Sequence, residues 1–282
     1  MMNQANFLGV TANIGRQDIF YLDTGVGFPV LFLHGLAGDH TAWKPQIDQL
    51  KNGFRILAPD TRGAGKSTQR DEPVTVHELA EDFIGLLEKL DIRRCHVVGR
   101  SLGGAIGQVI AVRRPQLVQS LVLIASGAKL DPLGVRCMEN MLDALSWRNS
   151  WMDWSRHSVP YFVSPKFYNE NPEKILHIES LMASTAAKPA CYVRTNDAAR
   201  EFDFLVELSN IRCPTLVMSG GLDPICGPIA TKWMIDRLPQ GQWDEFKNSS
   251  HFFLMEEPER FMKALRGWLD EHTPLRSAID PG

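Results

Sequence analysis

Gly99-Arg100-Ser101-Leu102-Gly103 is the stretch whose residue types and spacing are best suited to chemistry. A serine hydroxyl is a weak nucleophile that becomes reactive when it is exposed and has a base within hydrogen-bond reach. Here the serine follows Val97-Val98 and precedes Gly104-Ala105-Ile106-Gly107, so a short apolar strand runs directly into a small-residue helix. That context is the nucleophile-elbow pattern, in which a sharp strand-to-helix turn lifts the serine clear of the sheet on strained backbone angles. Glycine at 99 and 103 fits such a turn, because a Cβ at either position would collide across it. The start of the helix would also aim unpaired N–H groups at whatever the serine attacks.

The base and its orienting carboxylate are sought at the carboxyl ends of parallel strands, where ligands gather in sheets of this kind. Asp223 follows the apolar run Pro214-Thr215-Leu216-Val217-Met218-Ser219 through Gly220-Gly221-Leu222, and His251 follows a short strand at 242–246. The chain order Ser101, Asp223, His251 is the one expected for this elbow. Other uses compete. Asp223 precedes Pro224 and suits a turn. Asp131, a few residues beyond the strand at 120–125, is a rival acid. His34 is read as shaping the loop after its strand, with proton transfer the alternative. His40, His77, His96, His157, His177 and His272 have no spaced partners of metal-ligand type, so neither a metal nor a cofactor is expected. Gly65-Lys66-Ser67 imitates the end of a phosphate-binding loop. The glycine that such a loop needs five residues earlier is Asp60, whose carboxylate would repel phosphate.

These residues need a rigid scaffold, and the hydropathy pattern supplies one. Pro29–Leu33 is a fully apolar run, and Phe54–Ala58, Cys95–Val98, Ser120–Ala125 and Pro214–Ser219 are mostly apolar runs of strand length, as in a parallel sheet covered on both faces. Helical periodicity lies between them, clearest in Val76, Leu79, Phe83, Leu86, Leu87 and Leu90 behind the capping box Thr75-Val76-His77-Glu78. Two strands within 6–22, around a turn near 15–18, precede the first of these runs. A last helix carries Pro258 in its first turn and Phe261, Leu265, Trp268 and Leu269 on one face. Alternating strands and helices predict an α/β fold, a doubly wound and mostly parallel sheet. The rhythm fails between 127 and 210, which reads as a helical lid inserted into a core made of 1–126 and 211–272, with a frayed tail at 273–282.

Composition narrows the class. In 282 residues the net charge is −3 with a pI near 6.2, which leaves no electrostatic footprint for nucleic acid. No apolar run is long enough to span a bilayer, and the N-terminus has no basic region followed by an apolar one. Five widely spaced cysteines without Cys-x-x-Cys argue against a disulfide framework or zinc site. A cytoplasmic location is expected.

The combination of His34-Gly35, Asp60-Thr61-Arg62-Gly63, the Ser101 elbow, Gly221-Leu222-Asp223, and His251 followed by Phe253-Leu254-Met255-Glu256 and Pro258 resembles the α/β-hydrolase fold over nearly the whole chain. The resemblance implies Ser101 as nucleophile, His251 as general base and acid, Asp223 as its partner, and the Leu36 and Leu102 N–H groups as oxyanion hole. Serine in the elbow departs from the haloalkane dehalogenase and epoxide hydrolase branches, which carry aspartate there. Within the superfamily, residues 99–108 and 190–223 are similar to 3-oxoadipate enol-lactonases and more loosely to meta-cleavage-product hydrolases.

The expected activity is cofactor-independent hydrolysis of a small ester, lactone or related acyl compound. The alternatives are carbon–carbon or amide bond hydrolysis with the same residues, and a lyase or binding protein on this fold. The expected partner is a small acyl substrate with an anionic group read by Arg194 or Arg100, and neither nucleic acid nor membrane; oligomerisation is left open. Trp147, Trp151 and Trp154 are read chiefly as lid packing, with Trp147 the candidate ligand contact among them.

Overall fold

The computed structural model describes residues 9–148 and 150–274. Eight strands form one sheet: β1 (Gly9–Ile14), β2 (Gln17–Gly25), β3 (Phe28–Leu33), β4 (Phe54–Pro59), β5 (Cys95–Arg100), β6 (Val118–Ile124), β7 (Thr215–Gly220) and β8 (Gly241–Phe246). Their spatial order is β1-β2-β4-β3-β5-β6-β7-β8. β1 and β2 form a hairpin around Gly15-Arg16, and β2 also pairs antiparallel with β4. Every other pairing is parallel. The doubly wound, mostly parallel sheet expected from the sequence is therefore present; residues 6–8 of the first expected strand lie outside the described residues.

The inner strands β3 to β7 are mostly apolar because both faces are covered. Side chains alternate across a strand, so Leu31, Leu33, Val97 and Leu123 join one core and Phe32, Val98, Val122 and Met218 the other. The first core is closed by α2 (Val76–Lys89) and α3 (Leu102–Arg113), the second by α1 (Lys44–Leu50) and α11 (Pro258–His272). The capping box of α2 is formed: the Glu78 N–H donates to Thr75 Oγ1, and the Glu78 carboxylate accepts from the Thr75 N–H at 2.8 Å. α11 starts at Pro258 and buries Phe261, Leu265, Trp268 and Leu269.

Between β6 and β7, among the described residues, the chain leaves the sheet for five α-helices: α4 (Pro132–Arg148), α5 (Trp151–Phe162), α6 (Pro165–Glu170), α7 (Pro172–Ala183) and α8 (Pro189–Glu201). They share a third apolar cluster containing Met138, Trp154, Phe162 and Tyr192, joined by Ile225 and Phe252 from the loops that follow β7 and β8. α9 (Pro228–Ile235) links β7 to β8, and a single turn, α10 (Phe253–Glu256), leads into α11. In the tail, the Thr273 hydroxyl donates to the Leu269 carbonyl and lies 3.0 Å from His96 Nε2; residues 275–282 are outside the described residues. Among the described residues, no helix is long and apolar enough to cross a membrane.

Candidate active site

Ser101 sits between the end of β5 and the first turn of α3 with φ 51° and ψ −118°. A non-glycine residue in that region is strained and persists only when its surroundings over-determine it. Here they do. The Ser101 N–H donates to the Ile124 carbonyl on β6, while the Ser101 carbonyl accepts from the Ser126 hydroxyl at 2.8 Å and from the Gly104 N–H. The turn is as tight as the motif requires. A Cβ on Gly99 would lie 2.3 Å from the Gly103 carbonyl oxygen, and one on Gly103 would lie 2.1 Å from that of Leu33. Helix α3 can therefore start directly against β3 and β5 only with glycine at both positions.

Asp223 and His251 come from the loops after β7 and β8, the neighbouring carboxyl ends of the same sheet. Asp223 Oδ2 lies 2.8 Å from His251 Nδ1. Its Oδ1 accepts the N–H groups of Ile225 and Cys226, which fixes the carboxylate plane. Both residues are almost wholly buried. With Nδ1 facing the carboxylate, Nε2 is the ring nitrogen left for other work. Asp131, the rival acid, is engaged elsewhere. It precedes α4 and accepts the Gly134 N–H at 2.8 Å, as an N-cap does.

Ser101, His251, Leu36 and Arg100 line one cavity of about 640 Å³. Its far wall is apolar and comes from the helices between β6 and β7, through Met138, Met141, Trp154, Phe162 and Tyr192. Leu102 is the first residue of α3, so its N–H has no acceptor within the helix. Leu36 is the second residue of a turn closed by the Gly38 N–H on the Gly35 carbonyl, with Ala37 at φ 57°. His34 holds that turn. Its Nε2 accepts the Thr61 N–H at 2.9 Å, so its proton is on Nδ1, which donates to the Gly35 carbonyl at 2.8 Å. Burial pushes the His34 pKa down. Both nitrogens of a neutral ring are committed, which leaves His34 no route for a proton. Asp60 is similarly occupied, since Oδ1 meets the His40 ring and N–H and Oδ2 accepts the Lys66 N–H.

Two expected ligand contacts are not in the cavity. Arg194 points away from it and pairs with Asp71 at 2.8 Å. Trp147 is 74% exposed, near His157 on the outer side of α4 and α5. Helical phase explains both. Successive residues turn by about 100°, so Arg194 is roughly 200° from Tyr192, the α8 residue that faces inward. On α4, Met138 and Met141 take the cavity side. The sequence reading missed Tyr192 and Glu256, and Trp154, read as lid packing and buried in that cluster, also lines the cavity. Trp154 Nε1 donates to the Tyr192 hydroxyl at 3.1 Å. The Glu256 carboxylate accepts the N–H of Ser250, next to His251, and the N–H and hydroxyl of Ser164. Tyr192 was within reach of the sequence: it lies in the same short stretch as Arg194, and an inward tyrosine fixes the outward arginine.

A strained serine at a strand–helix turn, with a buried Asp–His pair on the same sheet edge, defines a hydrolase class by arrangement. Residues 29–258 match the alpha/beta hydrolase fold family, and the chain belongs to it. Among its relatives is a Caulobacter sp. (strain K31) protein provisionally named carbamate hydrolase RutD, 29% identical over 85% of this chain and 90% of that one. The 3-oxoadipate enol-lactonase 1 of Acinetobacter baylyi is 27% identical over 85% of this chain and 88% of that one. Among solved structures, a thermophilic esterase from Thermogutta terrifontis, described as malate bound, superposes with a TM-score of 0.82 at 28% identity, over 95% of this chain and 100% of that one.

Proposed function

We propose that the protein is a cofactor-independent serine hydrolase of small esters, lactones or related acyl compounds. The observation that carries this is the 2.8 Å contact between Asp223 and His251 Nδ1, beside a cavity that His251 and the strained Ser101 both line. His251 takes the Ser101 proton, and the oxygen attacks the carbonyl carbon. The tetrahedral oxyanion is held by the Leu36 and Leu102 N–H groups, and His251 protonates the leaving group. Water, deprotonated by His251, then releases the acyl group from Ser101 and restores the serine. Asp223 keeps the imidazole in one tautomer and balances its transient charge.

Residues 127–210 act as the lid that gives the cavity its apolar wall. The esterase and enol-lactonase relatives support oxygen-ester substrates. The relatives named for carbamate hydrolysis support a second reading, in which the leaving group is an amine and its protonation by His251 becomes the demanding step. The five free cysteines support a reducing, cytoplasmic setting.

The test is labelling with a fluorophosphonate and mass spectrometry of the digest. The adduct is expected on Ser101 and absent from Ser101→Ala, together with turnover of 4-nitrophenyl acetate that the variant lacks. Labelling elsewhere, or equal turnover by Ser101→Ala, overturns the proposal.

A further inference from the structure

Arg100 immediately precedes the candidate nucleophile, and its surroundings differ from those of the chain's other cavity groups. It lies in the cavity wall. Its Nε and the Cβ of Ser101 are each 3.4 Å from the position a Cβ on Gly35 would take, so the guanidinium is packed against the same loop as the serine. Its Cζ is 5.2 Å from the centroid of Phe252, the residue after His251. Arg100 is thus wedged between the turn carrying Leu36 and the loop carrying His251. Among the described residues it has no ion pair and no side-chain hydrogen bond. Arg62 and Arg55, by contrast, are held by Asp82 and Asp23. Burial alone pushes the Arg100 pKa down to about 10, which leaves it charged at neutral pH.

A partly buried guanidinium without a counter-ion is a cost to the fold, because those of its five donors turned away from water gain little in return. Replacing such a group by an apolar side chain of similar length is often neutral or stabilising. The guanidinium fork instead matches a planar carboxylate, which it binds through two parallel charge-assisted hydrogen bonds. The wall made by the inserted helices offers apolar contact from Met138, Met141, Trp154 and Phe162, while Asp39, Lys44 and Asp48 also line the cavity.

We propose that Arg100 is the specificity-determining residue of this site and selects acyl substrates that carry a carboxylate within a few atoms of the scissile carbonyl. This rests on the serine-hydrolase reading for the position of the carbonyl, but not for the binding of the anion. The preferred substrate is an anionic half-ester or lactone acid with a compact apolar body. Neutral esters of the same length are poorer substrates because they leave the guanidinium uncompensated.

The experiment separates binding from turnover. In the Ser101→Ala protein, calorimetry compares methyl hydrogen succinate with methyl butanoate, matched in length and differing in charge. The half-ester is expected to bind about 10-fold or more tighter, since a hydrogen bond to a charged group is worth roughly that much. Adding Arg100→Met should remove this preference, and adding Arg100→Lys should restore part of it. On the Ser101 background, the ratio of kcat/KM for the two esters should fall about 10-fold in Arg100→Met, whatever loss the two share. Arg100→Met should also melt no lower than the parent. Equal affinities for the two esters in Ser101→Ala overturn the proposal, as does a preference that survives Arg100→Met. A lower melting temperature with equal losses on both esters overturns it too, making Arg100 a support for the two loops. Charge-selective binding without turnover of either ester leaves Arg100 as an anion reader and counts against the hydrolase reading alone.

Discussion

Tyr192 and Arg194 stand two residues apart on α8 and face opposite ways: the tyrosine is 1% exposed in the cavity wall, and the arginine reaches out to Asp71. The two positions should therefore respond differently. Arg194→Met removes a half-exposed ion pair, worth about 0–1 kcal/mol, and should leave the ratio of charged to neutral ester turnover unchanged. Tyr192→Phe takes the acceptor from Trp154 Nε1 and from the Asn196 amide. Stranding buried donors costs roughly 1–3 kcal/mol, which urea denaturation would read directly.

The two acids separate in the same manner. Asp223→Asn should lower kcat by about 10⁴-fold through the wrong imidazole tautomer. Asp131→Asn keeps an N-capping side chain at α4 and should retain wild-type kcat within about 2-fold. Steady-state kinetics on one aryl ester decide it, and a crippled Asp131→Asn with an active Asp223→Asn would reverse the assignment.

Strain at Ser101 has a measurable sign. Holding a non-glycine residue in a sparsely populated region costs about 1–3 kcal/mol, and alanine inherits that cost while glycine does not. Both substitutions should abolish turnover, but Ser101→Gly should melt above Ser101→Ala, even after glycine's extra unfolded-state entropy of about 0.5–1 kcal/mol is deducted. A Ser101→Gly protein that melts below Ser101→Ala would mean that the turn is relaxed.

Burial in the β5 environment pushes the His96 pKa down to about 3, with His272 and Arg94 adding to the effect. In the unfolded chain the ring titrates near 6.5. Between these values the unfolded state holds a proton that the folded state does not, so stability rises with pH through that window and is flat above it. Melting temperature should fall as pH drops from about 6.5 towards 4. His96→Gln should flatten that slope, although it also disturbs the contacts to Ser120 and Thr273.

Most of the scaffold was legible because it is written in local patterns. Mostly apolar strands, the Thr75–Glu78 box and the Gly99/Gly103 pair each follow from short-range sterics or burial, and Ser101, Asp223 and His251 follow from where strands end. What was not legible is the phase of the inserted helices. Tyr192, Trp154 and Trp147 share composition and neighbourhood, and only tertiary packing decides which ring meets the cavity. Glu256 was hidden for a related reason, since its partners Ser164 and Ser250 are 92 and six positions away.

The loop that carries His251 is tethered to the end of α5. The Ser250 hydroxyl donates to the Tyr161 carbonyl, the Phe252 N–H donates to the Phe162 carbonyl at 2.7 Å, and Glu256 joins Ser250 to Ser164. The histidine is therefore aimed by a helix outside the sheet, in an apolar cluster distinct from the two that cover the sheet faces. Loosening α5 would misdirect the imidazole while the eight-stranded scaffold stayed intact. On heating, catalysis should fade several degrees before the far-ultraviolet signal does, and amide exchange in α5 should outpace that in β5. If so, the working temperature ceiling of this protein follows how firmly one peripheral helix stays docked.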